Sequence, residues 1–122
     1  MINPVIPRAY GQTSILNNGT AQNNTVVIYT VPAGKVFYLA GGYLAAICDA
    51  AAIINTAHLE CDAGSLIHLI VATSALVDRQ VYSVPLCLSI ALPFPAGTVF
   101  QLRSDSVNVR AVGAIFGWEE SV

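Results

Sequence analysis

Charged side chains are scarce in this sequence. Asp, Glu, Lys and Arg make up 10% of the 122 residues and hydrophobic residues make up 55%, whereas a typical domain has about 25% charged residues. A domain of this size has a high surface-to-volume ratio, so one core cannot hide that much apolar surface. The formal net charge of −2 is too small to keep copies apart. We therefore expect a subunit of an oligomer or larger assembly; an ordinary soluble domain with an Ala-rich surface is the alternative.

Basic residues are too few and too scattered for a nucleic-acid interface. Phosphate backbones are bound by Lys and Arg clustered on one face. The five basic residues are Arg8, Lys35, Arg79, Arg103 and Arg110. We expect no nucleic-acid partner.

Membrane-spanning segments are not predicted either. The start, Met1–Pro4, has no basic region ahead of an apolar run, so we expect no secretory signal. Residues 36–57 are mostly apolar, but Asp49 interrupts them and their Val, Ile and Tyr content suits strands. Residues 65–77 are uncharged but shorter than the about 20 residues that a membrane helix needs. We interpret both segments as buried strands and expect no membrane partner.

Cysteines are also few. Cys48, Cys61 and Cys87 are an odd number at irregular spacing, which is not a disulfide framework. Free Cys behaves as a small buried hydrophobe. The chain therefore suits synthesis in a reducing cytoplasm.

No arrangement of residues predicts a metal site or a cofactor. His58 and His68 lie near Cys48 and Cys61, but their spacing is not that of the paired ligands of structural zinc sites. On a strand, His58 and Cys61 are three residues apart and point to opposite faces. We predict that the chain binds no metal and no cofactor, and that the histidines are strand residues.

The same scarcity of polar groups argues against an enzyme. The chain has no Gly-x-Ser-x-Gly elbow, its two histidines are the only candidate bases, and few polar groups remain to line a pocket. The carboxylates Asp49, Glu60, Asp62 and Asp78 lack the spacing of a calcium loop, and we interpret them as solvated turn residues. We predict no catalytic residues.

Short-period alternation of β-branched and aromatic residues begins at Thr25. No segment shows a capped helix pattern, although 45–52 is rich in Ala, which favours helix. The predicted strands span 25–31, 35–47, 52–61, 65–72, 80–92, 98–103 and 108–118. We predict an all-β fold, an antiparallel β-sandwich.

One internal repeat refines this prediction. Residues 31–39, Val-Pro-Ala-Gly-Lys-Val-Phe-Tyr-Leu, match residues 94–102, Phe-Pro-Ala-Gly-Thr-Val-Phe-Gln-Leu. Pro fixes φ for a turn and Gly can adopt positive φ, so Pro32, Gly34, Pro95 and Gly97 are predicted turn residues. Two equivalent entries from turn to strand suggest a pseudo-symmetric, jelly-roll-like sandwich.

The first 24 residues differ from the rest. They contain Pro4, Pro7 and a polar stretch at 17–24, a composition that favours extended or turn conformations. We predict an extended N-terminal arm at 1–24 and a sandwich domain at 25–122, with a frayed terminus as the alternative. The predicted interface residues are Ile2, Val5, Ile6, Arg8, Tyr10, Ile15 and Leu16 of the arm, together with Asp78 and Arg79.

The two Pro-Ala-Gly strand entries resemble those of small bacteriophage virion proteins with a jelly-roll or β-sandwich fold. A closing strand that ends in Gly117-Trp118-Glu119 is also similar. The resemblance covers about residues 25 to 120 and concerns turns and strand ends, not a binding site.

The resemblance implies a structural virion protein. It suggests a capsid decoration or cement protein that stabilises a phage head by self-association, with a trimer favoured, and by contact with the major capsid protein or another virion protein. Such a protein is made in the host cytoplasm and located in the virion. The alternative is a receptor- or glycan-binding module of a tail fibre or head fibre, in which Trp118 would be a candidate sugar contact.

Overall fold

The computed structural model of the chain describes residues 12–48, 54–75 and 81–122. In these three ranges it contains eight β-strands. The strands are β1 (Gln12–Gln22), β2 (Thr25–Thr30), β3 (Lys35–Cys48), β4 (Ile54–Asp62), β5 (Leu66–Ala75), β6 (Val81–Pro95), β7 (Val99–Ser104) and β8 (Val109–Ser121). These ranges contain no helix that is long and apolar enough to cross a membrane.

The strands form two four-stranded antiparallel sheets, in the orders β1-β8-β3-β6 and β2-β7-β4-β5. Strand 1 pairs with 8, 2 with 7, 3 with 6 and 4 with 5, as in one long hairpin that has been rolled up. Further pairing of β3 with β8 and of β4 with β7 joins the hairpin into the two sheets. This is the connectivity of a jelly roll, so the predicted fold class is confirmed.

Seven of the predicted strands lie where the structure has β2 to β8. The eighth strand, β1, was missed, and it falls in the predicted arm. It pairs with β8 along its whole length, from Gln12 opposite Glu120 to Gln22 opposite Arg110. Residues 12–22 of the predicted arm therefore form a strand of the sandwich, while the domain boundary itself stays a prediction. The polar sequence of β1 does not predict a strand, and the strand forms because it pairs with β8.

The predicted arm residues Ile2, Val5, Ile6, Arg8 and Tyr10 lie outside the described residues. For them the arm stays a prediction.

Aromatic side chains at the repeat fill one end of the core. Phe37 and Phe100 occupy equivalent repeat positions, are fully buried, and meet edge to face with ring centroids 5.3 Å apart. Leu39 and Leu102, two residues further along, are fully buried as well. Such edge-to-face pairs add about 0.5–1.5 kcal/mol to the burial of their area, so the repeat contributes matched residues to one shared core.

The two predicted Pro-Ala-Gly turns lie side by side. Gly34, between β2 and β3, has φ of +75°, and Gly97, between β6 and β7, has φ of +88°. The amide of Val31 donates to the carbonyl of Thr98 at 2.9 Å, and the amide of Gly97 donates to the carbonyl of Val31 at 2.9 Å. These bonds fasten the two turns to each other across the sandwich.

Candidate functional site

Alternation along β4 separates two kinds of side chain. Leu59 and Cys61 are fully buried members of the hydrophobic core, whereas His58 and Glu60 belong to a set of polar contacts on the other face of the sheet. The prediction that His58 and Cys61 point to opposite faces is therefore confirmed. Burial raises the pKa of the Cys61 thiol to about 11, which makes it an inert core residue.

Three neighbouring strands and one turn contribute to this set of polar residues, which we call the polar cluster. Its central carboxylate, Glu60 of β4, stands opposite Gln101 of β7 on one side and His68 of β5 on the other. Its members are His58, Glu60, His68, Gln101, Arg103 and Asp105.

Glu60 is fully buried although it is charged. Its Oε1 accepts hydrogen bonds from Nε2 of Gln101 at 2.9 Å and from Nε of Arg103 at 3.0 Å. Burial acts to raise the pKa of Glu60, but these two bonds and the Arg103 charge outweigh it and lower the pKa below its ordinary value. The group is therefore a carboxylate at neutral pH.

The second oxygen of Glu60 is less well satisfied. Nδ1 of His68 lies 3.1 Å from Oε2, within ion-pair distance. The contact is not aligned as a hydrogen bond, and Oε2 is a buried atom with no hydrogen-bond partner. Such orphaned buried oxygens are uncommon in folded proteins.

His58 is oriented by two neighbours. Its Nε2 lies 2.9 Å from Oγ1 of Thr56, and that hydroxyl donates to Oδ2 of Asp105 at 3.2 Å. A hydroxyl that donates to the carboxylate accepts from the ring, so Nε2 carries the proton and Nδ1 presents a lone pair. Burial and then the Arg103 charge lower the pKa of His58, which keeps the ring neutral. Nδ1 is buried and without a partner.

Glu60 and Asp62 were both interpreted from the sequence as solvated turn residues, and the structure corrects this interpretation for Glu60 alone. Glu60 is not a solvated turn residue but a buried strand residue, because Gln101 and Arg103 compensate its charge. Asp62 is exposed at the β4–β5 turn, where its Oδ1 accepts from the amide of Gly64. Asp49 and Asp78 lie outside the described residues.

A second candidate site is apolar. β5 ends one sheet and β6 ends the other, and the two strands lie at the same side of the sandwich. Neither strand contains Asp, Glu, Lys or Arg. In the described part of the chain, seven of the twelve exposed large hydrophobic residues lie on these two strands. We call this surface the apolar edge; its members are Leu66, Ile67, Val71, Val81, Tyr82, Ile90 and Leu92.

The most exposed member of the apolar edge is Ile90, with 78% of its surface accessible. It lies where β6 shifts register against β3, in the segment between Cys87 and Leu92. Cys87, on the same strand, is an exposed free thiol. Composition indicated surplus apolar surface in this chain, but the pairing order of the strands was needed to locate it.

The interface residues predicted on the arm behave differently from one another. Ile15 is half-buried and packs against the hydrophobic core, because β1 is a strand of the sandwich. Leu16, its neighbour, is 72% exposed. Asp78 and Arg79 lie outside the described residues. The structure thus places Ile15 against the core and Leu16 at the surface, and their role in an interface stays a prediction.

No model of a known protein family matches the chain, and no curated protein sequence matches it. Among solved structures, a pentameric capsid protein isolated from metagenomic phage sequences is similar, with 22% identity and a TM-score of 0.48, over 88% of this chain and 61% of that protein. A second pentameric capsid protein from metagenomic phage sequences gives 22% identity and a TM-score of 0.45 over 88% and 62%. The structure of infectious bursal disease virus Gx strain gives 12% identity and a TM-score of 0.40 over 90% and 32%.

The chain spans about three fifths of the length of the two phage proteins. At these identities the likeness concerns the fold.

Proposed function

We propose that this chain is a structural subunit of a phage particle and that it assembles by burying its apolar edge against a second copy of itself. The observation that carries the proposal is an exposed, uncharged side of a jelly roll formed by β5 and β6. Exposed apolar side chains that are concentrated on one side of a soluble protein mark interaction sites. Placement in the virion draws on the resemblance of the Pro-Ala-Gly strand entries, because a fold by itself does not define a function.

The chemistry of β6 favours side-chain packing over the addition of a further strand. Pro85 and Pro93 lie in this edge strand, opposite Tyr43 and Tyr38 of β3. Proline has no amide hydrogen to donate to a neighbouring strand and so blunts edge-to-edge pairing. A partner therefore packs on the exposed side chains, and the association remains limited in size instead of growing into a continuous sheet.

The decoration or cement role is the specific form of this proposal, with a trimer as the favoured state and the major capsid protein or another virion protein as the further partner. Cementing works by removing apolar surface from water, at roughly 25 cal/mol per Å², less the free energy lost in ordering the partners. The glycan-binding alternative has weaker support, because Trp118 is only 9% exposed and stacks on Tyr38, with ring centroids 5.4 Å apart. It offers no open face to a sugar.

The mass of the full chain in solution, measured by sedimentation over a range of concentrations, tests self-association. We expect a multiple of the 12.8 kDa chain, three in the favoured trimer. Burial of Ile90 contributes about 1 to 2 kcal/mol per contact, so I90K raises the dissociation constant about 5- to 30-fold. V107K is the matched control, because Val107 is 60% exposed in the β7–β8 turn, away from the apolar edge.

The variant that dissociates the assembly shows whether the interface lies on the apolar edge or on β1. Dissociation by I90K and not by V107K supports the apolar edge. Dissociation by L16K alone moves the interface to β1, where the arm was predicted. A monomer at every concentration refutes self-association.

Cys87 provides a second measurement without any substitution. Because its thiol is exposed on β6, its labelling by a thiol reagent slows as the concentration rises if β6 is buried in the assembly. A labelling rate independent of concentration contradicts the proposed interface.

A further inference from the structure

We propose that His58, Glu60 and His68 form a binding site for a zinc-class divalent transition metal on the β4–β5 side of the polar cluster. One candidate ligand atom from each of the three residues lies within 4.8 Å of the others. Two imidazoles and a carboxylate are a ligand set that zinc accepts, with water in the fourth position. The sequence gives no sign of this site, because the spacing of the two histidines to Cys48 and Cys61 is not that of zinc ligands.

Two buried atoms in this site lack partners, and both are of the kind that binds a metal. They are Nδ1 of His58 and Oε2 of Glu60. Nδ1 presents a lone pair, because Nε2 donates toward Thr56, and Oε2 belongs to an ionised carboxylate. Two unsatisfied electron-pair donors on adjacent buried side chains are mutually repulsive without a cation between them.

The neighbours of the ligands are those that a metal site requires. A ligating imidazole normally donates its other ring nitrogen to a fixed acceptor, which holds the ring in place. Here that acceptor is Thr56, which is itself bonded to Asp105. Glu60 is held by Gln101 and Arg103 through Oε1 alone, so Oε2 remains for the metal.

The charge around the site also suits a dication. Arg103 pairs with both Glu60 and Asp105. Two carboxylates and one guanidinium leave one net negative charge when the histidines are neutral. A divalent ion changes this to one net positive charge and leaves Arg103 paired with both carboxylates.

The geometry needs a small closure. Ligand atoms around tetrahedral zinc stand about 3.4 Å apart. Nδ1 of His68 and Oε2 of Glu60 are already 3.1 Å apart, so the closure, of up to about 1.4 Å, falls on the distances to His58. His68 supplies its share of that movement, because its side chain is 46% exposed on an edge strand whereas Glu60 is held in place. We therefore expect His68 to be the ligand that swings in.

Titration of the full chain with Co²⁺ and Zn²⁺ tests the site. The chain is prepared without a histidine tag and in a C87S background, because the exposed Cys87 thiol is itself a metal ligand. We expect one ion per chain, a Co²⁺ visible spectrum without a thiolate charge-transfer band, and a rise in melting temperature with Zn²⁺.

The ligand substitutions decide the outcome. H68A should weaken binding at least about tenfold while the protein stays folded, because His68 is half exposed; E60Q should weaken it too. D62N, which removes an exposed carboxylate from the same strand as Glu60, should bind as the parent does. The proposal is overturned by the absence of binding in the parent, or by binding that H68A and E60Q leave unchanged. Neither result bears on self-association, which is measured separately through I90K.

Discussion

Replacement of the buried carboxylate by its neutral isostere, E60Q, should destabilise the protein by about 2 kcal/mol. Oε1 of Glu60 accepts hydrogen bonds from Gln101 and Arg103 at 2.9 and 3.0 Å. A hydrogen bond to a charged group contributes about 1.5–3 kcal/mol and a neutral one about 1 kcal/mol. Glutamine keeps the shape and the acceptor oxygen, but the Gln101 bond becomes neutral and the Arg103 bond loses the negative charge of its acceptor. The glutamine amide regains at most one neutral bond near His68.

This loss has a measurable size. The unfolding entropy is about 2.1 cal/mol/K per residue, summed over 122 residues. Dividing the loss of about 2 kcal/mol by this entropy gives a melting temperature that is lower by about 8 °C. Calorimetry or denaturant unfolding at equal protein concentrations gives the comparison, because self-association shifts apparent stability. Metal is removed beforehand with a chelator.

The matched control is D62N, which removes the same charge from the end of the same strand. Asp62 is exposed and accepts a bond from Gly64 that asparagine can keep, so we expect a change within about 0.5 kcal/mol. Equal stabilities of E60Q and D62N, or a gain in E60Q, would refute the claim that the buried carboxylate is stabilised by its charged partners.

Three further outcomes follow from the structure. The folded-state pKa values of His58 and Glu60 lie below their ordinary values of 6.5 and 4.5, so the unfolded chain binds more protons than the folded one. The stability is therefore full above pH 6.5 and falls on acidification, first through His58 and then through Glu60. A urea midpoint that is flat from pH 7 to 4 contradicts this. G117A should cost about 1–3 kcal/mol in urea unfolding, because a Cβ at Gly117 would clash with the carbonyl oxygen of Tyr38; an unchanged midpoint refutes that contact. Cys61 should resist thiol reagents until the protein unfolds, given full burial and a pKa of about 11, and labelling of the native protein at this position shows the core to be open.

The polar cluster could not be predicted from the sequence. His58 and Glu60 are two residues apart on β4, and Gln101 and Arg103 are two apart on β7. Each pair can be recognised in the sequence. Because side chains alternate between the two faces of a strand, both members of a pair lie on the same face. Nothing along the chain says that β4 and β7 are neighbours, so only the pairing register brings the two pairs together around a buried charge.

The strand β1 was missed for a related physical reason. The polar stretch around Asn17 and Asn18 has low strand propensity, and propensity was the signal available. In the fold, Asn17 donates through Nδ2 to the carbonyl of Ile28 at 2.8 Å, and the whole strand pairs with β8. Tertiary pairing overrides a weak local preference.

The sequence by itself determined the fold class, seven of the strands and the two Pro-Ala-Gly turns, because short-period alternation and the conformational limits of Pro and Gly act locally. It also established that apolar surface would be left over, which is a matter of composition and size. Only the tertiary structure decided that the leftover surface lies on β5 and β6, and that Glu60 is buried beside His58 and His68. Those facts depend on which strands are neighbours, and neighbours in a jelly roll are far apart in the chain.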